Sequence, residues 1–436
     1  MILKKYKIFF LNSFVSALPG FFSVSLSLLS IPIYLKYGGT KEYGDYIFLH
    51  FLSFVAIILN LGLGKISTII ISQEKNNDEM AWHLIKKTIK NCFFILLIFI
   101  FLIIFQNEIL PKVSKNVLFL ALIGIILTNI FLTIEGIFQG KKLFIVLMLI
   151  NLFFYGASLS LPTFLLVFKY TSYQNIFLIS LIIKVIVIFF CIIYLFKNKE
   201  LKFFFKTNLT LLNLKTQKWF SISNLLSFFY DLIDKYLINI YLGPVALATY
   251  SIPQQATGKL SIISKGISAV LLPTIAFEKK NKLKNSTFAI SLKIFIFVVP
   301  LLIFILFNFF NIFFEFWLGK NSSSEIVNLA KIFSIIAWVS SLSHLIISYY
   351  EGSGSIKKNS IIEISFFPFF FIFLYFLIMN KDLIIISYFI LLKEIVLFFL
   401  RSIKIIKKIT VIKYSYPIII IACFFLYYSI NIVLIK

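Results

Sequence analysis

Residues 175–196 read NIFLISLIIKVIVIFFCIIYLF, and this stretch decides the fold class. It is long enough to cross a bilayer as a helix, because a hydrocarbon core about 30 Å thick needs roughly 20 apolar residues. Similar runs recur from Ile8 to Leu434, and hydrophobic residues make up 60% of the chain. The sequence therefore predicts an all-α polytopic membrane protein whose function operates within or across the bilayer.

Thirteen apolar runs are predicted to be membrane spans. They cover 8–34, 45–72, 90–105, 117–138, 144–168, 175–196, 219–242, 248–276, 290–312, 327–350, 361–379, 383–402 and 415–434. The first run continues directly into the fold, which predicts a retained helix and not a signal peptide. Twelve spans form the expected core, and 415–434 is an expected thirteenth.

Basic residues are concentrated in alternate gaps between the spans. On the side of the N-terminus lie 27 of the 42 Lys and Arg residues, and 9 lie on the other side. This bias predicts a cytoplasmic N-terminus. The net charge is +25, but the basic loops are short and close to the membrane, so membrane lipids and not nucleic acid are the expected partner.

The spacing of the spans predicts two lobes of six helices each. We expect an N-terminal lobe (1–197), a basic cytoplasmic linker (198–218), a C-terminal lobe (219–402) and a basic loop with the extra apolar segment (403–436). Gly and Tyr stand seven positions apart in two hairpins, 39–46 and 243–250, and a Glu-Gly pair recurs at 135–136 and 351–352. These matches favour parallel repeats around a central cavity, an arrangement typical of transporters.

Charged side chains within spans are costly and usually face a cavity. In the seventh span Asp231 and Lys235 lie one turn apart, so the spacing predicts that they pair and that Asp234 has no partner on its own helix. A cation-coupled transporter needs a group whose hydration differs between access states. We therefore expect ion coupling at Asp231, Asp234 and Lys235, with Asp234 as the exchanging group.

The eighth span is the most polar. Gln254, Gly258, Ser261, Lys265 and Ser268 share one helical face, and Lys259 lies off that face. In the second span, Asn60 and Lys65 flank two glycines. The predicted cavity is lined by the first, second, seventh and eighth spans, and its binding residues are expected to be Lys65, Lys259, Lys265, Gln254, Ser261 and Asn60.

Some features receive no chemical role. Lys393 and Glu394 are adjacent, which predicts that they point in different directions. The three cysteines lie in apolar runs and the three histidines are far apart, so we expect no disulfide framework, no metal site and no cofactor.

Two stretches resemble a known family. The first hairpin contains Ile31-Pro32, Gly38-Gly39 and Glu42-Tyr43-Gly44-Asp45-Tyr46, and the second stretch runs from Ser221 through Asp231, Asp234-Lys235, Leu242-Gly243 and Tyr250 to Pro273. In this order they are similar to the Wzx-type flippases, the polysaccharide-transport branch of the multidrug/oligosaccharidyl-lipid/polysaccharide (MOP) exporter superfamily. The resemblance covers roughly residues 8–402.

This resemblance implies a substrate and a mechanism. Such proteins move undecaprenyl-diphosphate-linked oligosaccharide repeat units from the inner to the outer leaflet of the cytoplasmic membrane, for O-antigen or capsule synthesis. The diphosphate and sugar pass through a cationic cavity by alternating access, often with cation coupling. Implied partners are a polymerase and a chain-length regulator of the same pathway. The extra segment 415–434 departs from the twelve-span core of that family.

Other functions stay open at this point. A cation-coupled multidrug antiporter or a lipid II flippase would share the fold, although the first tends to have more cavity carboxylates and the second more arginines. A membrane-embedded polymerase or glycosyltransferase would need a large outer loop, which this sequence lacks. A purely structural membrane protein would not need the charges of the seventh and eighth spans.

Overall fold

The computed structural model describes residues 2–37, 46, 49–50, 53, 55–73, 77–105, 115–168, 173–197, 214–277, 283–318 and 323–406. Every regular element in these ranges is helical, and the prediction of an all-α membrane protein is confirmed. Nine of the described helices are long and apolar enough to cross a membrane. The total of thirteen spans stays a prediction, because 415–434 lies outside the described residues and 45–72 is only partly described.

The chain divides into two compact units, one of residues 8–225 and one of residues 226–436 with 1–7. The N-terminal unit contains most of α1 (Ile2–Tyr37), then α2 (Ala56–Leu59), α3 (Leu63–Gln73), α4 (Asn77–Ile104), α5 (Lys115–Gly140), α6 (Phe144–Asn151) and α7 (Tyr173–Lys197). After α6 the chain continues through a π-helical turn (Leu152–Ala157), a one-turn helix (Ser158–Ser160) and a 3₁₀ helix (Leu161–Phe168). Helix α5 packs against α3, α4 and α7 and so forms the centre of this unit.

The C-terminal unit begins within α8 (Leu214–Gly258). It continues through a 3₁₀ turn (Lys259–Ser261) to α9 (Ile262–Phe277), α10 (Leu283–Leu318), α11 (Ser324–Gly352), α12 (Ile356–Met379) and α13 (Leu383–Ile406). Helix α11 packs against α9, α10 and α13. Gly243 interrupts α8 with φ +86°, a left-handed conformation that glycine adopts at little cost, and this break separates the predicted seventh and eighth spans.

A close helix contact recurs in the two units. A Cβ atom on Gly140 would lie 2.9 Å from Ile71 Cβ, and a Cβ atom on Gly352 would lie 2.9 Å from Ile275 Cβ. Ile275 follows Ile71 by 204 positions, the same offset as the two predicted hairpins, and Gly352 follows Gly140 by 212. By this contact, the counterpart of Gly352 in the N-terminal unit is Gly140. The Glu-Gly pattern instead suggests Gly136, which lies one helical turn earlier.

Candidate functional site

A cavity of about 290 Å³ lies within the C-terminal unit, between α8, α9, α11, α12 and α13. Charged side chains from four of these five helices reach it, in a unit whose helices are otherwise mostly apolar. Charge buried at membrane depth is expensive, so this cavity is the strongest candidate for a functional site.

One wall of the cavity is the polar face of the eighth predicted span. Gln254, Gly258, Ser261 and Lys265 line the cavity, as expected for residues spaced three to four apart on a helix. Ser261 Oγ donates to the carbonyl of Gly258 at 2.7 Å, and Lys265 is exposed towards the open space. Lys259 is exposed as well but does not line this cavity, because it lies off the shared face.

The contacts of the two acids of α8, Asp231 and Asp234, differ from those that their spacing predicts. Asp234 is buried and accepts a hydrogen bond from Tyr250 Oη at 2.7 Å. Lys235 Nζ lies 3.5 Å from Asp234 Oδ1 and donates to the backbone carbonyl of Asp231. The predicted Asp231–Lys235 pair is therefore wrong, and so is the unpartnered Asp234. Asp231 is instead an exposed residue that lines the cavity.

Lys393 is a buried lysine on α13 with defined surroundings. Its Nζ lies 5.3 Å from the ring centroids of both Tyr230 and Phe370, and 2.8 Å from Glu394 Oε1. The prediction that Lys393 and Glu394 diverge is wrong, because the long lysine side chain can fold back to its neighbour. Aromatic faces and a carboxylate are the groups that attract an organic ammonium ion. Here the chain supplies that ammonium itself.

Arg401, Glu363 and Asn359 form an ion-pair network at the edge of the cavity, which the sequence analysis did not predict. Arg401 Nη2 lies 2.8 Å from Glu363 Oε1, and the side chains of the two residues are 6% and 1% exposed. Asn359 completes the network, since its Oδ1 accepts from Arg401 Nε at 2.9 Å and its Nδ2 donates to Glu363 Oε1 at 3.0 Å. Arg401 lies inside α13 and is buried.

Two predicted binding residues lie in the N-terminal unit. The Asn60 side chain is 3% exposed and donates to Asn129 Oδ1 at 2.9 Å and to Thr133 Oγ1 at 3.3 Å. It also accepts from the backbone nitrogen of Gly64. Asn60 therefore holds α3 against α5 and does not line a described cavity. Lys65 is half-buried on α3, and among the described residues no group of His, Cys, Asp or Glu could hold a metal ion.

Comparison with known proteins gives a family and a fold. A family model described as "Polysaccharide biosynthesis protein" matches residues 10–278. None of the curated proteins matches the chain.

Several solved structures share the fold. A multidrug resistance MATE family transporter of the MOP superfamily in an outward-facing conformation has a TM-score of 0.74 at 13% identity, covering 92% of this chain and 96% of its own. A MATE transporter from Vibrio cholerae gives 0.72 at 13% identity, with 94% and 99% coverage. A MOP superfamily transporter from Pyrococcus furiosus, described as having a binding pocket of reverse polarity, gives a TM-score of 0.72 at 14% identity, covering 92% of this chain and 96% of its own.

Proposed function

Because the chain belongs to the polysaccharide biosynthesis protein family and has the fold of MOP-type transporters, we propose that it is a lipid-linked oligosaccharide flippase. It moves undecaprenyl-diphosphate-linked repeat units from the inner to the outer leaflet of the cytoplasmic membrane by alternating access. The family match carries this proposal, since it covers more than half of the chain. The N-terminus is cytoplasmic, and a polymerase and a chain-length regulator receive the product.

The chemistry of the C-terminal cavity disfavours the multidrug alternative. An organic cation would be drawn to Tyr230, Phe370 and Glu394, but the Lys393 ammonium already lies against all three. A second cation there would meet electrostatic repulsion and would have to displace a tethered one. An uncharged sugar with many hydroxyl groups is instead suited to the hydrogen-bonding groups Gln254 and Ser261, which line the same cavity.

The diphosphate needs cationic partners. Lys65, Lys259 and Lys265 are lysines in predicted spans, and each ammonium can act as a point charge towards phosphate. Gln254 and Ser261 contact sugar hydroxyls in this proposal, and Asn60 supports the position of Lys65 by fixing the start of α3. These assignments form the binding path of the substrate.

Ion coupling is assigned to the cluster of Asp231, Asp234 and Lys235. Asp234 is buried and is held in place by Tyr250 and Lys235. Asp231 is exposed to the cavity, and its hydration can change when the cavity opens or closes. We therefore place the exchange of the coupling cation at Asp231, with Asp234 and Lys235 positioning it.

Export in cells tests the binding path. A Lys65→Ala, Lys259→Ala double variant is expected to lose most export of the lipid-linked sugar at normal expression, and the Lys→Arg counterparts should lose less. Lys358→Ala is the matched control, because Lys358 is exposed at the start of α12 and lines no described cavity. Full export by the alanine double variant would remove both lysines from the binding path.

A further inference from the structure

The N-terminal unit contains a second and much smaller cavity. Its volume is about 30 Å³, and its wall includes His50, Phe154 and Lys184. This is enough space for one water molecule or one ion of similar size, because a water needs roughly 10–15 Å³ of such volume. The cavity is too small for a sugar or a diphosphate, so the transported substrate does not explain it.

Lys184 is the first unusual group on this wall. Its side chain is 5% exposed, and it forms no hydrogen bond or ion pair with any residue that the structure describes. Its Nζ lies 5.3 Å from the centroid of the Phe154 ring. A buried ammonium for which the described residues supply no counter-ion is destabilised in an apolar unit, so an anion is the ligand that suits this site.

His50 is the second unusual group. It is 6% exposed, and its Nε2 atom is buried without a hydrogen-bond partner. Tyr46 and Phe177 contact the imidazole edge-on, with ring centroids 4.6 and 4.9 Å away. These rings hold the imidazole in place. His50 and Lys184 both line the same small cavity.

Among the described residues that line the cavity there is no acid to compensate Lys184. Glu135 of the same unit accepts hydrogen bonds from Asn151 Nδ2 at 2.8 Å and from Tyr155 Oη at 3.5 Å. Helix α13 has a lysine at a similar place in the second half of the chain, since Lys393 follows Lys184 by 209 positions. The Nζ of Lys393 lies 2.8 Å from Oε1 of the neighbouring Glu394. The residue after Lys184 is Val185, so the N-terminal unit has the lysine without the acid.

The remaining polar groups leave room for one anion. Ser53, Thr128 and Ser158 each donate to the carbonyl four residues earlier. The Ser53 bond is the longest at 3.2 Å, and its hydroxyl can rotate to donate into the cavity. The π-helical turn Leu152–Ala157 brings Phe154 and Tyr155 to this wall, and such turns frequently mark functional sites.

We propose that this cavity is a binding site for a halide-sized anion, chloride in the cell. The ion lies between the Lys184 ammonium and the Nε2–H group of His50, and the aromatic faces exclude water around it. The bound ion neutralises the lysine inside the unit. The proposal is independent of the transported substrate, so it can fail while the flippase assignment stands.

Thermal unfolding of the purified full-length protein tests the site. The melting temperature is measured in sodium chloride and in sodium gluconate at equal ionic strength, because gluconate is too large for the cavity. We expect the wild-type melting temperature to rise with chloride and not with gluconate, since a ligand that binds only the folded state stabilises it. In Lys184→Met the chloride dependence disappears. In Lys331→Met, which removes another buried lysine that lines neither cavity, it stays.

A second variant and a direct measurement distinguish loss of the anion site from a folding defect. His50→Leu should weaken the apparent chloride affinity about tenfold or more, the effect of losing one good hydrogen bond to an ion. Crystals grown in bromide should give an anomalous peak between Lys184 and His50. Equal wild-type melting in chloride and gluconate, chloride dependence that survives in Lys184→Met, or a water without anomalous signal at this position would each overturn the proposal.

Discussion

The Arg401–Glu363 ion pair offers the sharpest test of the C-terminal unit. Both side chains are almost fully buried, and Arg401 Nη2 lies 2.8 Å from Glu363 Oε1. Replacing Arg401 by Met removes the ion-pair partner of Glu363, and replacing Glu363 by Leu removes that of Arg401. Each single change should cost about 3–5 kcal/mol of unfolding free energy, the usual penalty for breaking a buried pair.

The double variant distinguishes charge pairing from packing. With both charges removed, the main loss is that of the two hydrogen bonds between Asn359 and these residues, which should cost about 1–3 kcal/mol. We therefore expect the double variant to be more stable than either single variant. The measurement is equilibrium unfolding of the four proteins in mixed micelles, read as a double-mutant cycle.

A second ion pair is the matched control. Lys141 Nζ lies 3.3 Å from Asp78 Oδ1, and the two side chains are 10% and 24% exposed. Asp78→Asn should cost about 1 kcal/mol or less, because the pair is more solvated. If the Arg401 and Glu363 changes are simply additive, or if either single change costs no more than the control, the buried-pair reasoning is refuted.

Three further predictions follow from the structure. Gly352→Ala should lower the melting temperature clearly, because the new Cβ would lie 2.9 Å from the Leu272 carbonyl oxygen. In the control variant Gly258→Ala the new Cβ meets nothing within 4 Å, so this variant should melt like wild type. Equal melting temperatures of the two variants would contradict the packing of α9 against α11. A single cysteine at Ser323 should react with an impermeant reagent from outside the cell and one within 198–218 should not, and labelling of the linker from outside would reverse the topology. Asp231→Asn should abolish the response of transport to an imposed ion gradient, and Asp234→Asn should chiefly lower stability; an unchanged gradient response in Asp231→Asn would exclude it as the exchange site.

Periodicity predicted the cavity wall, but it could not predict side-chain pairing. The face formed by Gln254, Gly258, Ser261 and Lys265 follows from the helical repeat alone. Whether Lys235 reaches Asp231 or Asp234 depends on rotamers and on Tyr250, which is distant in sequence and bonds to Asp234. The same limit applies to Lys393, whose aromatic neighbours come from two other helices.

One signal in the sequence could have identified the missed network. Arg401 is the only arginine in a chain with 42 basic residues, and Glu363 is the only charged residue in the predicted span 361–379. Arginine suits a buried carboxylate better than lysine does, because its planar group forms several directed hydrogen bonds. A single arginine retained among so many lysines therefore indicates a specific buried partner.

The proposed flippase activity is tested most directly with purified protein in liposomes. Undecaprenyl-diphosphate-linked oligosaccharide is placed in the inner leaflet, and its appearance outside is followed with an impermeant lectin or sugar-modifying enzyme. The account predicts protein-dependent exposure of the sugar that is strongly reduced in the Lys65→Ala, Lys259→Ala variant. Liposomes in which the wild-type protein leaves the sugar inside but exports an organic cation in exchange for protons or sodium would contradict it and establish the multidrug alternative.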